Sequence, residues 1–156
     1  MTSRARRRGE PQRTQRAQRK QDTKVLFLRN TPPPIETERV ASETIGAAIE
    51  VHRHLGPGFL EKIYQEALFL ELSSRGIEFE REKAIAVSYK GNAIPGQRVD
   101  LIVSGCVLVE LKAAIALHAI HEAKLMSYLK TTGLRLGLLL NFHEPTLKQG
   151  LKRLVF

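Results

Sequence analysis

The sequence predicts an α/β layer fold in which helices cover both sides of a sheet. Three observations lead to this prediction. The chain has 156 residues, of which 42% are hydrophobic, enough for one ordinary domain with a core. Apolar residues recur first at helical spacing, then at alternating spacing, and later in near-continuous runs. The sequence shows no internal repeat, so these segments are expected to form one unit.

A basic segment precedes the predicted domain. Residues 1–24 contain nine basic and two acidic residues, so they carry +7 of the net charge of +9 and leave +2 for the remainder. Such a composition predicts disorder. We therefore divide the chain into a disordered tail with a Pro-rich linker (1–35) and a folded domain (36–156). The tail is interpreted either as a holder of phosphate backbones or as a solvated extension.

The sequence also constrains the compartment. It has no apolar run of the ~18 residues that a membrane helix needs, and no apolar stretch of a secretory signal near its start. The single cysteine, Cys106, lies in an apolar run and is predicted to be a buried structural thiol. We expect a soluble protein of the reducing cytoplasm.

Three helices are predicted from helical spacing and from the residues that end them. Gly56-Pro57-Gly58 breaks the first helix, Gly76 caps the second, and Gly133 ends the third. The expected bounds are 38–54, 60–75 and 117–131.

The strands are predicted from alternation and from apolar runs. Ile77 and Phe79, and then Ile85, Val87 and Tyr89, fit strands with one buried face, followed by a turn at residues 90–92. Two further strands enclose Ser104-Gly105, and their apolarity indicates a sheet covered on both sides. The expected bounds of these two strands and of a last apolar strand are 99–103, 106–111 and 134–141.

Three charged residues lie in the predicted core strands or directly after one of them. Glu110 and Lys112 project from the same face of one strand, about 7 Å apart, and Asp100 lies on the preceding strand. Two carboxylates and an ammonium group at one end of a sheet are suited to Mg²⁺ or Mn²⁺ and to phosphate. The alternative is a buried or half-buried Glu–Lys ion pair, with Asp100 at a solvent-facing strand end. Spacing alone leaves both interpretations open.

These residues occur together with other recognisable motifs. Asp100 followed by Glu110-Leu111-Lys112 resembles the PD-(D/E)XK signature, and the segment from Gly58 to Tyr64, GFLEKIY, resembles the motif that names the GxxExxY family of that superfamily. The resemblance covers roughly residues 38–156 and excludes the tail. Further similar segments are 64–76, 98–102, 121–123, 127–129 and 139–142.

The resemblance implies a restriction-endonuclease-like core, a central mixed sheet flanked by helices in the order α-β-β-β-α-β. It also implies that Asp100 and Glu110 are metal ligands, that Lys112 positions the attacking water and helps to deprotonate it, and that Glu61 is a further metal-binding carboxylate. The implied activity is metal-dependent hydrolysis of phosphodiester bonds in DNA or RNA. The alternative is a catalytically weak or inactive module of this fold that binds nucleic acid or a protein partner.

Two residues of the resembling motif also have structural interpretations. Glu61 falls at the third helical position if Gly58 is the N-cap, where a glutamate caps backbone donors and favours the helix dipole. Tyr64 lies one turn further along the same face, and we expect it to serve packing rather than chemistry.

One position departs from the resemblance. Lys124 stands where the family pattern leads us to expect glutamine, four residues before Tyr128. Both residues are candidates for substrate binding. Lys124 is expected either to contact phosphate or to compete for Glu110 and weaken metal binding.

The histidines give no strong signal. His118 and His121 lie three residues apart but lack a third zinc ligand, and His52 and His54 are expected to be solvent or cap residues. A homodimer or a protein partner remains open, because a small nuclease domain often needs one to hold long nucleic acid.

Overall fold

The computed structural model describes residues 31–156, and the predicted basic tail lies outside this range. Within it, one compact unit extends from Pro33 to Phe156. No helix in the described range is long and apolar enough to cross a membrane.

Four helices and five strands make up this unit. The helices are α1 (Ile35–Leu55), α2 (Glu61–Ser74), α3 (Ala119–Thr132) and the single turn α4 (Leu147–Gly150). The strands are β1 (Phe79–Tyr89), β2 (Asn92–Val103), β3 (Val107–Lys112), β4 (Leu136–Asn141) and β5 (Leu151–Val155).

The five strands form one mixed sheet in the order β1-β2-β3-β4-β5. β3 and β4 are parallel, and the other neighbouring pairs are antiparallel. Two adjacent parallel strands need a crossover connection, which α3 supplies. The structure confirms the predicted fold class, a central mixed sheet flanked by helices.

Helices cover both faces of the sheet centre. The side chains of Leu101, Val109 and Leu138 join the core formed with α1 and α2. Ile102, Leu108 and Leu139 point the other way and join the core formed with Leu125 and other residues of α3. The near-continuous apolar runs at the end of β2 and in β3 therefore follow from burial on both sides, as predicted, and the run in β4 has the same cause.

The helix boundaries have local causes. Acidic Glu36 and Glu38 occupy the first turn of α1, where negative charge favours the helix dipole. At the end of α2, the N–H groups of Gly76 and Ile77 donate to the carbonyls of Ser73 and Leu72. Gly76 has a φ of 66°, so this left-handed turn takes glycine, and its predicted capping position is confirmed.

The first hairpin differs from the prediction. β1 is one strand of 11 residues, and β2 starts seven residues before the predicted Val99. Residues 84–98 pair only within this hairpin, because the pairing of β2 with β3 begins at Leu101. Val87, Tyr89 and Ile94 are 37%, 59% and 50% exposed, so the predicted buried face is wrong in the outer half. Alternation identified the strands but did not show how far neighbouring elements extend over them.

The last strand was not predicted. β5 pairs with β4 at the sheet edge, and its exposed Lys152 and Arg153 give it no apolar pattern. The turn before it depends on Gly150, because a Cβ there would lie 2.1 Å from the carbonyl oxygen of Asn141. Cys106 also differs from the prediction: it lies in the turn before β3 and is only partly buried.

Candidate active site

The candidate site lies where β2 and β3 separate. Leu101 of β2 pairs with Val109 of β3, so Asp100 and Glu110 are the next residue on each strand. Beyond that pair, a side chain replaces the backbone as the hydrogen-bond acceptor: Oδ2 of Asp100 accepts a hydrogen bond of 2.9 Å from the N–H of Leu111. This bond fixes Asp100 beside the end of β3.

Glu110 is fully buried on the α3 side of the sheet. Its Oε1 accepts hydrogen bonds from Nζ of Lys124 at 2.5 Å and from Nζ of Lys112 at 3.2 Å. Its Oε2 is also buried and has no hydrogen-bond partner within residues 31–156. A buried carboxylate oxygen without a partner is costly, so Oε2 is a place where a ligand would stabilise the protein.

Lys112 links two carboxylates. Its Nζ lies 3.2 Å from Oε1 of Glu110 and 3.8 Å from Oε2 of Glu61. The side chain of Lys112 is largely buried, whereas that of Glu61 is exposed over nearly half of its surface. Lys112 and Glu110 thus share one strand face, as alternation predicts.

Glu61 occupies a different helix position from the predicted one. It is the first residue of α2, and Leu60 is the N-cap, with no side-chain cap. Gly58 has a φ of 111° and lies in the loop before the helix. The prediction that Glu61 caps the helix from its third position is therefore wrong, because the helix begins at Glu61, three residues after Gly58. Its acidic side chain at the first turn still favours the helix dipole.

The electrostatics of Asp100 reflect its crowded surroundings. The pKa of Asp100 is raised to about 6, chiefly by burial and also by the neighbouring charges of Glu110 and Glu61. The hydrogen bond from Leu111 and the charge of Lys112 act in the opposite direction. A carboxyl group whose ionised form is disfavoured by burial and by a second carboxylate gains from a nearby cation.

Lys124 reaches the site from α3. Burial lowers the pKa of Lys124, but the hydrogen bond and charge of Glu110 raise it more, so the net pKa is above the usual lysine value. Its ammonium also lies 5.4 Å from the ring centroid of Tyr128. Tyr128 is 3% exposed and packs in the core beneath α3. The role of Tyr128 in substrate binding stays a prediction.

The carboxylates fit a divalent ion only in part. Within the described range, no three His, Cys, Asp or Glu side chains come together in a metal-binding arrangement. The charges of Asp100 and Glu110 interact, and the buried Oε2 of Glu110 has no hydrogen-bond partner within residues 31–156. Mg²⁺ usually takes one or two protein carboxylates and keeps several waters, so this pair suits it. Glu61, which contacts Lys112, stays a predicted ligand.

The histidines serve the fold. His121 Nδ1 accepts a hydrogen bond of 3.0 Å from the N–H of His118 at the start of α3. His52 is buried, and its Nε2 donates to the carbonyl of Glu144 at 2.8 Å. The predicted solvent or cap role of His52 is wrong, because α4 and the loop before it pack against this end of α1. His54 is exposed, as predicted.

Tyr64 of α2 holds the loop that precedes Glu61. The hydroxyl of Tyr64 donates to the carbonyl of Gly56 at 2.6 Å and accepts from the N–H of Phe59 at 3.1 Å. Its buried ring stacks on the ring of Phe142, with 4.6 Å between the ring centroids. The predicted packing role of Tyr64 is thus visible, together with a hydrogen-bonding role for the loop before Glu61.

Asn141 is a site-supporting residue that the sequence did not single out by role. Its buried amide binds both backbone groups of Ala114, accepting from the N–H at 3.0 Å and donating to the carbonyl at 2.8 Å. These bonds hold the loop that follows Lys112. An asparagine ending an otherwise apolar strand is the signal that points to such a role.

Comparison with known proteins yields one family match. A family model described as the PD-(D/E)XK nuclease superfamily matches residues 38–154. No curated protein matches the chain. No solved structure matches it either.

Proposed function

The chain belongs to the PD-(D/E)XK nuclease superfamily, and we propose that it is a metal-dependent nuclease that hydrolyses phosphodiester bonds of DNA or RNA. One observation carries the proposal: Asp100, Glu110 and Lys112 meet where β2 and β3 separate, and one oxygen of the buried Glu110 has no hydrogen-bond partner among residues 31–156. Burying charged groups costs free energy, and apolar residues at these positions would pack without that cost.

Asp100 and Glu110 would hold Mg²⁺ or Mn²⁺, with Glu61 as a further carboxylate nearby. When bound, the ion supplies an activated water and positive charge at the scissile phosphate. The raised pKa of Asp100 supports this assignment, because a cation removes the repulsion between the two carboxylates.

Lys112 would orient the attacking water and balance charge on the phosphate. It is cationic and so cannot bind the metal, but its Nζ is held between Glu110 and Glu61. A fixed ammonium group costs no reorganisation when negative charge develops in the transition state. Glu61 would then contribute as a positioning residue for Lys112 as well.

The finer assignment within the superfamily is part of the proposal. Gly58, Glu61 and Tyr64 stand at the positions of the GxxExxY motif. In the structure Gly58 lies in the loop of residues 56–60, the hydroxyl of Tyr64 bonds the backbone of this loop at Gly56 and Phe59, and Glu61 begins α2 directly after it. This arrangement supports membership of the GxxExxY group, in which the motif would place a carboxylate beside Lys112.

The main alternative is a binding module without catalysis. The hydrogen bond between Lys124 and Glu110 favours it, because the lysine neutralises a carboxylate that the metal would otherwise engage. Nucleic acid is the expected partner of the nuclease, whereas the binding module takes nucleic acid or a protein; the basic excess that would hold phosphate is +9, of which residues 1–24 carry +7.

The test is nicking of single- and double-stranded DNA and RNA with Mg²⁺, with Mn²⁺ and with EDTA. We expect cleavage only with a divalent ion, and at least a 100-fold loss in Lys112→Ala, because Lys112 acts mainly in the transition state. Lys148→Ala removes an exposed lysine of α4 and should keep full activity. If the wild-type chain binds nucleic acid but cuts none with either metal, the binding module replaces the nuclease.

A further inference from the structure

We propose that Lys124 occupies the place of a second cation, so that the site takes one divalent ion rather than two. The proposal rests on the nuclease function above and specifies how that site is charged. It follows from the contacts of a single buried carboxylate, Glu110.

The two oxygens of Glu110 have unequal surroundings. Oε1 accepts hydrogen bonds from both Lys124 and Lys112, at 2.5 and 3.2 Å. Oε2 is buried and has no hydrogen-bond partner within the described residues. A carboxylate that bridges two metal ions offers one oxygen to each. Here an ammonium pair already holds one oxygen, and only Oε2 remains for an ion.

Lys124 is held at Oε1 by more than this one bond. Its ammonium lies 5.4 Å from the ring centroid of Tyr128, within the range of a cation–π contact. Tyr128 is itself fixed by packing under α3. Displacing Lys124 would therefore break a charge-assisted hydrogen bond and a contact with an immobile ring.

The charge count of the site agrees with one ion. The site contains the carboxylates of Glu61, Asp100 and Glu110 and the ammonium groups of Lys112 and Lys124. Its net charge without an ion is therefore −1. One divalent ion makes the site +1, which suits a phosphodiester anion. Two ions would make the net charge +3. The two ions of such a site lie only about 3.5–4 Å apart, and both lysines already contact Glu110.

The side chain of Lys124 remains 42% exposed. It therefore holds Oε1 while part of the side chain is accessible from solvent. In this position the ammonium group would stabilise the negative charge on the phosphate, which a second ion stabilises in a two-metal site.

Isothermal titration of the full chain with Mn²⁺ alone tests the stoichiometry. We expect one ion per wild-type chain and a second binding event in Lys124→Gln, which frees Oε1 from one ammonium group. Lys124→Arg keeps the charge and should bind one ion. Lys130→Gln, an exposed lysine of the same helix, is the matched control and should also bind one ion.

Two ions in the wild-type chain, or one in Lys124→Gln, would overturn the inference while leaving the nuclease proposal intact. No Mn²⁺ binding in the wild-type chain would instead overturn the metal site itself. Circular dichroism confirms that each variant is folded. If Lys124→Gln does not fold, Lys124→Met, which keeps most of the length of the side chain without its charge, takes its place with the same expected result.

Discussion

The carboxylate of Asp100 accepts a hydrogen bond from the backbone N–H of Leu111, one residue after Glu110. This contact lets the sheet open at β2 and β3 without leaving that N–H unpaired. It also brings the Asp100 carboxylate close enough to Glu110 for their charges to interact. The same bond therefore serves the fold and keeps two carboxylates together at an energetic cost.

That cost predicts a pH-dependent stabilisation by Asp100→Asn. The folded pKa of Asp100, about 6, lies above its usual value of 3.8, so the folded chain binds the proton more tightly than the unfolded chain. Stability should therefore fall as pH rises from about 4 to 6. Asparagine carries no charge and can still accept from Leu111, so the variant should be about 1–3 kcal/mol more stable than wild type at pH 8.

Urea unfolding in EDTA at pH 8 and pH 4.5 measures this difference. At pH 4.5 Asp100 is protonated in the folded chain but still largely ionised in the unfolded chain, so the advantage of the variant should shrink to about a third of its value at pH 8. Glu66→Gln changes an exposed carboxylate outside the site and should show little effect at either pH. An Asp100→Asn chain with the same advantage at both pH values would show that charge is not the cause.

Removal of residues 1–24 should weaken the salt dependence of nucleic-acid binding. These residues hold nine basic and two acidic side chains. Each neutralised phosphate contributes about 0.9 to the slope of log K against log salt on duplex DNA. We expect the slope to fall by several units in fluorescence-anisotropy titrations between 50 and 200 mM salt, a range over which such contacts respond strongly.

A full-length chain with the nine basic residues of this segment changed to glutamine is the control for that deletion. It keeps the length and loses the charge, so its slope should match that of the deletion. If both slopes equal the wild-type value, the segment does not contact phosphate, and its interpretation as a solvated extension is correct.

Much of the fold could be predicted because it follows from local patterns. Apolar runs defined β3 and β4, and glycine positions ended α2 and α3. Alternation along β3 also predicted that Glu110 and Lys112 share a face, which their 3.2 Å contact confirms. These features depend on a residue and its near neighbours in the chain.

The features that could not be predicted depend on distant segments. The contact of Lys124 with Glu110 was one of two expectations for this lysine, and spacing could not decide between them, because the residues are 14 apart and their distance depends on how α3 packs over the sheet. The strand β5 forms because β4 offers an edge, although its own sequence alternates poorly. The asymmetry between the two oxygens of Glu110 likewise has no counterpart in residue spacing.

The loop before α2 yields a prediction on Tyr64. Tyr64→Phe keeps the ring stacked on Phe142 but removes the hydroxyl, which leaves the carbonyl of Gly56 and the N–H of Phe59 without this partner. We expect a loss of about 1–2 kcal/mol in the free energy of unfolding. Tyr89→Phe is the matched control, since Tyr89 is mostly exposed, and it should change stability by less than about 0.5 kcal/mol. Equal effects would mean that the Tyr64 hydroxyl does not hold the loop.

Asn141 provides the most direct test of how the end of β3 is supported. Its side chain pairs with both the N–H and the carbonyl of Ala114, at 3.0 and 2.8 Å, and it is fully buried. Asn141→Ala leaves two backbone groups of the loop after Lys112 without these bonds, which should cost about 2–4 kcal/mol. Hydrogen exchange should show faster exchange at the Ala114 amide than in wild type, since that amide is then released. Asn92→Ala removes only an exposed bond of 3.3 Å to Lys90 and should leave stability and the Ala114 amide unchanged. If Ala114 stays as protected in Asn141→Ala as in wild type, another group holds this loop, and Asn141 has no part in placing Lys112.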